Sequence, residues 1–141
     1  MMIKGILFDL DGTVYLGEKE IPGASSLISR LEKMRIRHLF VTNRANRTPE
    51  TIAAQLKSYG INCAAEDILT SADATAQYLK RGSAFFIGEE GMQLALLNAG
   101  MPVTDVSPDY VIVSYEENPG ERKLNLAAKL IRNGAKFIAT N

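Results

Sequence analysis

The sequence predicts an α/β fold, and three observations carry that expectation. Short apolar runs alternate with amphipathic stretches along the 141 residues. Gly and Pro punctuate the ends of the amphipathic stretches, where helices start and stop. Apolar runs separated by helices cannot pair as hairpins, so the alternation argues parallel sheets with right-handed crossovers.

Ile3 to Phe8 reads as a buried strand. Ala24 to Met34 follows as a helix, with Leu27, Ile28, Leu31 and Met34 on one stripe. Leu39 to Thr42 is the next strand. The helix after it has Thr48 placed to cap it, Pro49 in its first turn, Ile52, Leu56 and Tyr59 as its inner face, and Gly60 as its stop. Ile68 to Thr70 is a third strand, from which Ser71 caps a helix that runs to Leu79 and ends at Gly82. Three more strands are expected at Phe85 to Ile87, Tyr110 to Val113 and Phe137 to Ala139. Helices lie between them, around Met92 to Ala99 before Gly100 and around Leu124 to Arg132 before Asn133-Gly134. The polar joint Lys80-Arg81-Gly82-Ser83 marks a boundary between residues 1–81 and residues 82–141. There are no internal repeats or low-complexity segments.

The bulk numbers narrow the function. A content of 46% hydrophobic and 23% charged residues is that of a globular protein. Sixteen basic and sixteen acidic side chains cancel, leaving no global field to draw in nucleic acid or an anionic membrane. No apolar run approaches the roughly 20 residues of a membrane span, and a cytoplasmic location is expected. The single Cys63 has no disulfide partner and reads as a structural thiol.

In an open α/β sheet, ligands bind beyond the carboxyl ends of the strands. Asp9-Leu10-Asp11-Gly12-Thr13-Val14-Tyr15 falls there after the first strand, and Thr42-Asn43 after the second. Residues i and i+2 of an extended chain point the same way, so Asp9 and Asp11 can aim at one small volume. Two converging carboxylates repel and need a cation; an all-oxygen site beside phosphate suits Mg²⁺, with both acids as ligands. An aspartate, with a reference pKa of about 3.9, is ionised at neutral pH and attacks phosphorus without a base. Asp9 is thus the expected nucleophile, forming an aspartyl-phosphate, and Asp11 the proton donor to the leaving alcohol and acceptor from water. Gly12 has no side chain to obstruct a phosphate, and the amides of its turn are candidate anion ligands. Thr42 offers a hydroxyl to a phosphoryl oxygen, and Asn43 holds the loop or the substrate. An EF-hand would place Glu20 at loop position twelve, but its sixth position is Val14 rather than Gly, so that reading fails.

These residues resemble the haloacid dehalogenase superfamily, whose first motif is D-x-D-x-T/V and whose second is a strand-end Thr or Ser. The similarity is to its NagD-like phosphatases. It is carried by Gly12-Thr13-Val14-Tyr15, Ile21-Pro22-Gly23-Ala24, Phe40-Val41-Thr42-Asn43, Leu69-Thr70-Ser71-Ala72, Pro108-Asp109-Tyr110-Val111-Ile112-Val113 and Gly134-Ala135-Lys136-Phe137-Ile138-Ala139-Thr140-Asn141. The resemblance implies that residues 1–81 form the first half of a Rossmann-like core and residues 82–141 the start of a large α/β cap domain inserted after strand three. It also implies hydrolysis of small phosphorylated metabolites with Mg²⁺, and Gly12, Thr13, Thr42, Asn43 and Arg44 as the substrate-binding residues. Arg44 stands where relatives often have an uncharged residue, so surface charge is its competing reading. Two further family motifs, a Lys and an acidic pair, are not in these 141 residues, and none of Lys123, Lys129 and Lys136 can be nominated for the first. The chain is accordingly expected to be truncated, weak or inactive alone, and prone to self-association through an open sheet edge.

Rival functions remain at this level. A phosphotransferase or mutase would use the same Asp9. A receiver domain would need its acceptor Asp after strand three, where Thr70-Ser71 stands. A non-catalytic fragment that binds metal or a partner is the third class. His38, away from the carboxyl end, is not expected to be catalytic. Glu89-Glu90-Gly91 reads as a helix start, Glu116 and Glu117 as a solvated loop, and Thr140-Asn141 as a candidate lining of the cap's substrate face.

Overall fold

The computed structural model describes residues 3–140 and is α/β. It forms two compact units: one holds the chain up to Thr42 together with Pro49–Leu69, the other Asn43–Thr48 and the chain from Thr70 on.

The first unit begins with β1 (Gly5–Asp9), a two-residue pair β2 (Tyr15–Leu16) and β3 (Lys19–Glu20), and α1 (Ala24–Lys33). It continues through β4 (Arg37–Thr42), α2 (Pro49–Ser58), a 3-10 turn at Ala65–Asp67 and β5 (Ile68–Thr70), whose last residue opens the second unit. The sheet order is β1-β4-β5. β1 and β4 are parallel, with Gly5 opposite Arg37 and Asp9 opposite Val41. One sheet face is covered: Phe40 is fully buried in a cluster with Leu10, Ile28, Ile52, Leu56 and Ile68. Each such side chain stabilises the unit by about 1.5–3 kcal/mol over its exposed state. Cys63 is a buried free thiol in this core, and burial pushes its pKa up.

Several expectations need correction here. The first strand is not buried on both sides, because burial alternates along β1 and leaves Leu7 67% exposed. Leu39 and Leu69 on β4 and β5 are also exposed. Ile3 lies outside the strand and is exposed. On α1, Ile28 and Leu31 are buried, but Leu27 and Met34 are exposed, so the inner stripe is narrower than the sequence suggests. The β2/β3 hairpin was not expected at all. It is antiparallel, with Tyr15 opposite Glu20, and turns at Gly17 with φ +61°. Two-residue strands are too short to display a period of two.

The second unit contains α3 (Ser71–Leu79), β6 (Ala84–Ile87), α4 (Glu90–Asn98), β7 (Tyr110–Val113), α5 (Glu121–Arg132) and β8 (Lys136–Ala139). Its sheet order is β6-β7-β8, all parallel, with Ile87 opposite Val113 and Val113 opposite Ala139. Thr70, not Ser71, caps α3: its hydroxyl oxygen accepts the Asp73 N–H at 3.1 Å. Ser71 donates instead to the Asn43 carbonyl at 2.8 Å. The helix turns off at Lys80, which takes φ +56°, before Gly82 is reached. Met92, Leu96 and Ile112 centre one core cluster of this unit; Val111 and Leu130 centre another.

Candidate active site

Asp9 ends β1 beside Val41, so Thr42 and the segment from Leu10 to Tyr15 leave the sheet at the same carboxyl end. The loop is pinned by its apolar residues. Leu10, Val14 and Tyr15 are buried, and the Tyr15 ring packs 6.1 Å from that of Tyr59. The Leu10 carbonyl accepts the N–H groups of Thr13, Val14 and Tyr15 at 3.1, 2.9 and 3.2 Å. Gly12 adopts φ +79°, a region that costs a residue with a Cβ roughly 1–2 kcal/mol, and its N–H donates to the Tyr15 carbonyl at 2.7 Å. The amides of residues 12 to 15 are therefore used inside the loop, which corrects the expectation that they stand ready for an anion. What Gly12 does offer is space, since nothing lies within 4 Å of where its Cβ would be.

The structure brings Asp9, Asp11, Gly12, Thr13 and Thr42 to one end of the first unit's parallel pair. Asp9, Gly12 and Thr13 are exposed, Asp11 is half-buried and bridges Tyr15, and Thr42 is buried. Asn43 and Arg44 open the segment that packs within the second unit. There Ser71 holds the Asn43 carbonyl, Ala45 is completely buried, and Asn46 donates to Glu89 Oε2 at 3.1 Å. Asn43 is exposed and Arg44 half-buried. Glu20 is no metal-loop acid: its Oε1 accepts the Ser25 N–H at 2.8 Å at the start of α1, and Ser25 holds its carboxyl below the usual range. His38 lies opposite Ile6, toward the amino end of the pair, with its ring edge-on to Phe8 and Phe40.

Among the described residues no group of three or more His, Cys, Asp or Glu could hold a metal ion. The donor set at the strand end is two carboxylates, one exposed and one half-buried. Hard oxygen donors in that number fit Mg²⁺, which binds through one or two carboxylates and keeps waters and phosphate oxygens for the rest of its shell.

Sequence reasoning missed the polar contacts of the second unit. Glu116 is not a solvated acid: its Oε2 accepts the Gly88 N–H at 2.8 Å and also pairs with Lys123. Glu89, at the start of α4, accepts the Glu117 N–H through Oε1 while holding Asn46 through Oε2. The partners lie 28 and 43 positions apart, and no local pattern marks them. Thr140 closes the edge with its N–H on the Val113 carbonyl, and Asn141 lies outside the described residues.

Comparison with known proteins gives consistent relatives. A family model described as haloacid dehalogenase-like hydrolase matches residues 6–102. An acid sugar phosphatase of Staphylococcus haemolyticus is 42% identical over 143 residues, covering 98% of this chain and 54% of that protein. Among solved structures, NagD from E. coli K-12 superposes with a TM-score of 0.92 at 33% identity, over 100% of this chain and 58% of NagD. A double mutant of the thermostable NPPase from Geobacillus stearothermophilus gives 0.90 at 41% identity, over 98% and 56%. The chain thus spans about half the length of the relatives it matches.

Proposed function

Because the chain belongs to the haloacid dehalogenase-like hydrolases, we propose that the protein containing it is a Mg²⁺-dependent phosphatase of small phosphate monoesters, with Asp9 as nucleophile. The observation that carries this reading is the pinned loop at the end of β1, in which Leu10 anchors the backbone between two acids. The relatives named as acid sugar phosphatase and NPPase support the reaction class. Residues 1–81 serve as the first half of a catalytic core and residues 82–141 as the beginning of a cap. The substrate is a small phosphorylated metabolite, and the location cytoplasmic; no described helix is long and apolar enough to cross a membrane.

In this mechanism an Asp9 carboxylate oxygen attacks phosphorus and the ester P–O bond breaks as the aspartyl-phosphate forms. Asp11 gives its proton to the leaving alcohol oxygen. In the second half Asp11 takes a proton from water as that water attacks phosphorus, and the P–O bond to Asp9 breaks to release phosphate and restore the carboxylate. Asp9 and Asp11 would hold Mg²⁺, which when bound offsets charge on the phosphoryl oxygens. Gly12 leaves room for the phosphoryl group, Thr13 and Thr42 offer hydroxyls to it, and Asn43 and Arg44 are the further candidate substrate-binding residues. The Lys and the acidic pair that the family resemblance calls for are not in these 141 residues, so on their own they are expected to turn over esters weakly or not at all.

The test is phosphate release from an aryl phosphate with Mg²⁺, in a form of the protein as long as its relatives. Asp9→Asn is expected to abolish release, because an amide is a poor nucleophile. A variant keeping more than about a tenth of the activity, a barrier change under about 1.4 kcal/mol, would remove Asp9 from the mechanism.

A further inference from the structure

Glu89 stands at the residue that opens α4, where a Ser, Thr, Asp or Asn side chain would satisfy a free N–H of the first turn. The Glu89 side chain makes no such bond. Both of its carboxylate oxygens are used on distant chain instead: Oε2 accepts the Asn46 side-chain amide at 3.1 Å, and Oε1 accepts the Glu117 N–H at 3.1 Å. One half-buried carboxylate thus joins three segments of the second unit, at residues 46, 89 and 117. Hydrogen bonds to an ionised group are about twice as strong as neutral ones, so such a brace holds a loop more firmly than ordinary turn contacts.

The loop it holds is Asn43–Thr48, which follows Thr42 and carries the candidate substrate-binding residues Asn43 and Arg44. The backbone of that loop is tied at Asn43, whose carbonyl accepts the Ser71 hydroxyl at 2.8 Å, and at Asn46, whose carbonyl accepts the Gly91 N–H at 3.3 Å. Between them Ala45 is completely buried with Ala72, Ala76 and Met92. Glu89 adds a charged side-chain tie at the far end, and its length is essential. An Asp carboxylate would end one C–C bond, about 1.5 Å, earlier and could not keep both 3.1 Å contacts. We infer that Glu89 is a positioning residue for the phosphatase reaction, bracing Asn46 so that Asn43 and Arg44 are set for the phosphate ester; this inference rests on the phosphatase reading.

The experiment measures kcat, KM and thermal unfolding on an aryl phosphate with Mg²⁺, in a form of the protein as long as its relatives. Glu89→Asp keeps the negative charge at the helix start and supplies a capping side chain, so its Tm should match or exceed that of the unsubstituted protein. Its KM should nevertheless rise about fivefold or more with kcat within about twofold, the pattern of lost ground-state binding. Glu89→Gln should bring KM back to within about twofold, because Gln accepts the Glu117 N–H and donates to the Asn46 side-chain carbonyl once that amide turns over. Asn46→Ala should raise KM as Glu89→Asp does, and the double variant no further, since both remove one contact. An unmoved KM in Glu89→Asp, or a raised KM that Gln does not restore, would overturn the assignment and leave Glu89 a structural contact. Asp9→Asn run in parallel separates the two levels. Release that persists in Asp9→Asn removes the phosphatase reading and this inference with it, whereas Asp9-dependent release with an unmoved KM in Glu89→Asp removes this inference alone.

Discussion

Leu10 is completely buried between Asp9 and Asp11, so an apolar anchor fixes the backbone of both acids while Asp9 stays exposed to a ligand. Thr42 is the buried counterpart one residue beyond Val41, the partner of Asp9. If its hydroxyl supports the phosphoryl group, Thr42→Ala should raise the barrier by about 1–3 kcal/mol, the scale of one hydrogen bond to a charged group. Thr42→Ser should retain most activity. Steady-state kinetics on an aryl phosphate checks this, and an alanine variant with unchanged kcat and KM would place Thr42 outside the site. Asp109 supports a pH prediction. The Ser83 N–H at 2.7 Å, then the Ser83 hydroxyl, hold its carboxyl below the usual range. A depressed carboxylate contributes stability that is present above its unfolded pKa, about 3.9, and is lost as pH falls through the lower folded value. The stability gap between wild type and Asp109→Ala should therefore be constant from pH 7 to about 5 and shrink below about 4. Urea unfolding across that range reads it, and a gap that widens toward acid would refute the assignment.

Among the elements, α4 shows how a helix is placed by a missing side chain. Gly91 lies in its first turn and is buried. A Cβ there would come 2.5 Å from the Ala45 carbonyl oxygen and 2.7 Å from that of Arg47. Those contacts are backbone and cannot swing aside. Helix propensity alone favours Ala over Gly by about 1 kcal/mol, yet here the clash should win, and Gly91→Ala is expected to destabilise the chain by about 1–3 kcal/mol. Thermal or urea unfolding measures it; a stabilised variant would show that the 45–47 segment can retreat. The same segment follows Asn43 and Arg44, so crowding at Gly91 and the Asn46–Glu89 hydrogen bond fix the course of the loop beyond β4.

For the molecule as a whole, the uncovered sheet face is the feature with the largest consequence. Leu7, Leu39 and Leu69 are 67%, 46% and 41% exposed on the three strands of the first sheet, and β1 lies at its edge. Apolar surface of this kind beside an open strand edge favours association. The 141-residue chain is expected to form dimers or larger species at micromolar concentration, and Leu7→Lys with Leu39→Lys to shift it toward monomer. Light scattering after size exclusion decides the matter, and a monomeric wild type would show that this face tolerates water.

The sequence by itself determined the α/β class, five helices and six of the strands, and the two strand ends at which Asp9, Asp11 and Thr42 stand. It could do so because apolar period, capping residues and the Gly and Pro stops act over a few neighbouring residues. The β2/β3 hairpin, the exposed face with Leu7, Leu27's exclusion from the core and the use of the Gly12 amide inside its own loop were decided only by tertiary structure. The same holds for Glu116, whose Gly88 partner lies 28 positions away. The physical reason is one of range: local pattern sets what each segment becomes, whereas which face is covered and which distant donors meet an acid depend on crossover lengths and strand register.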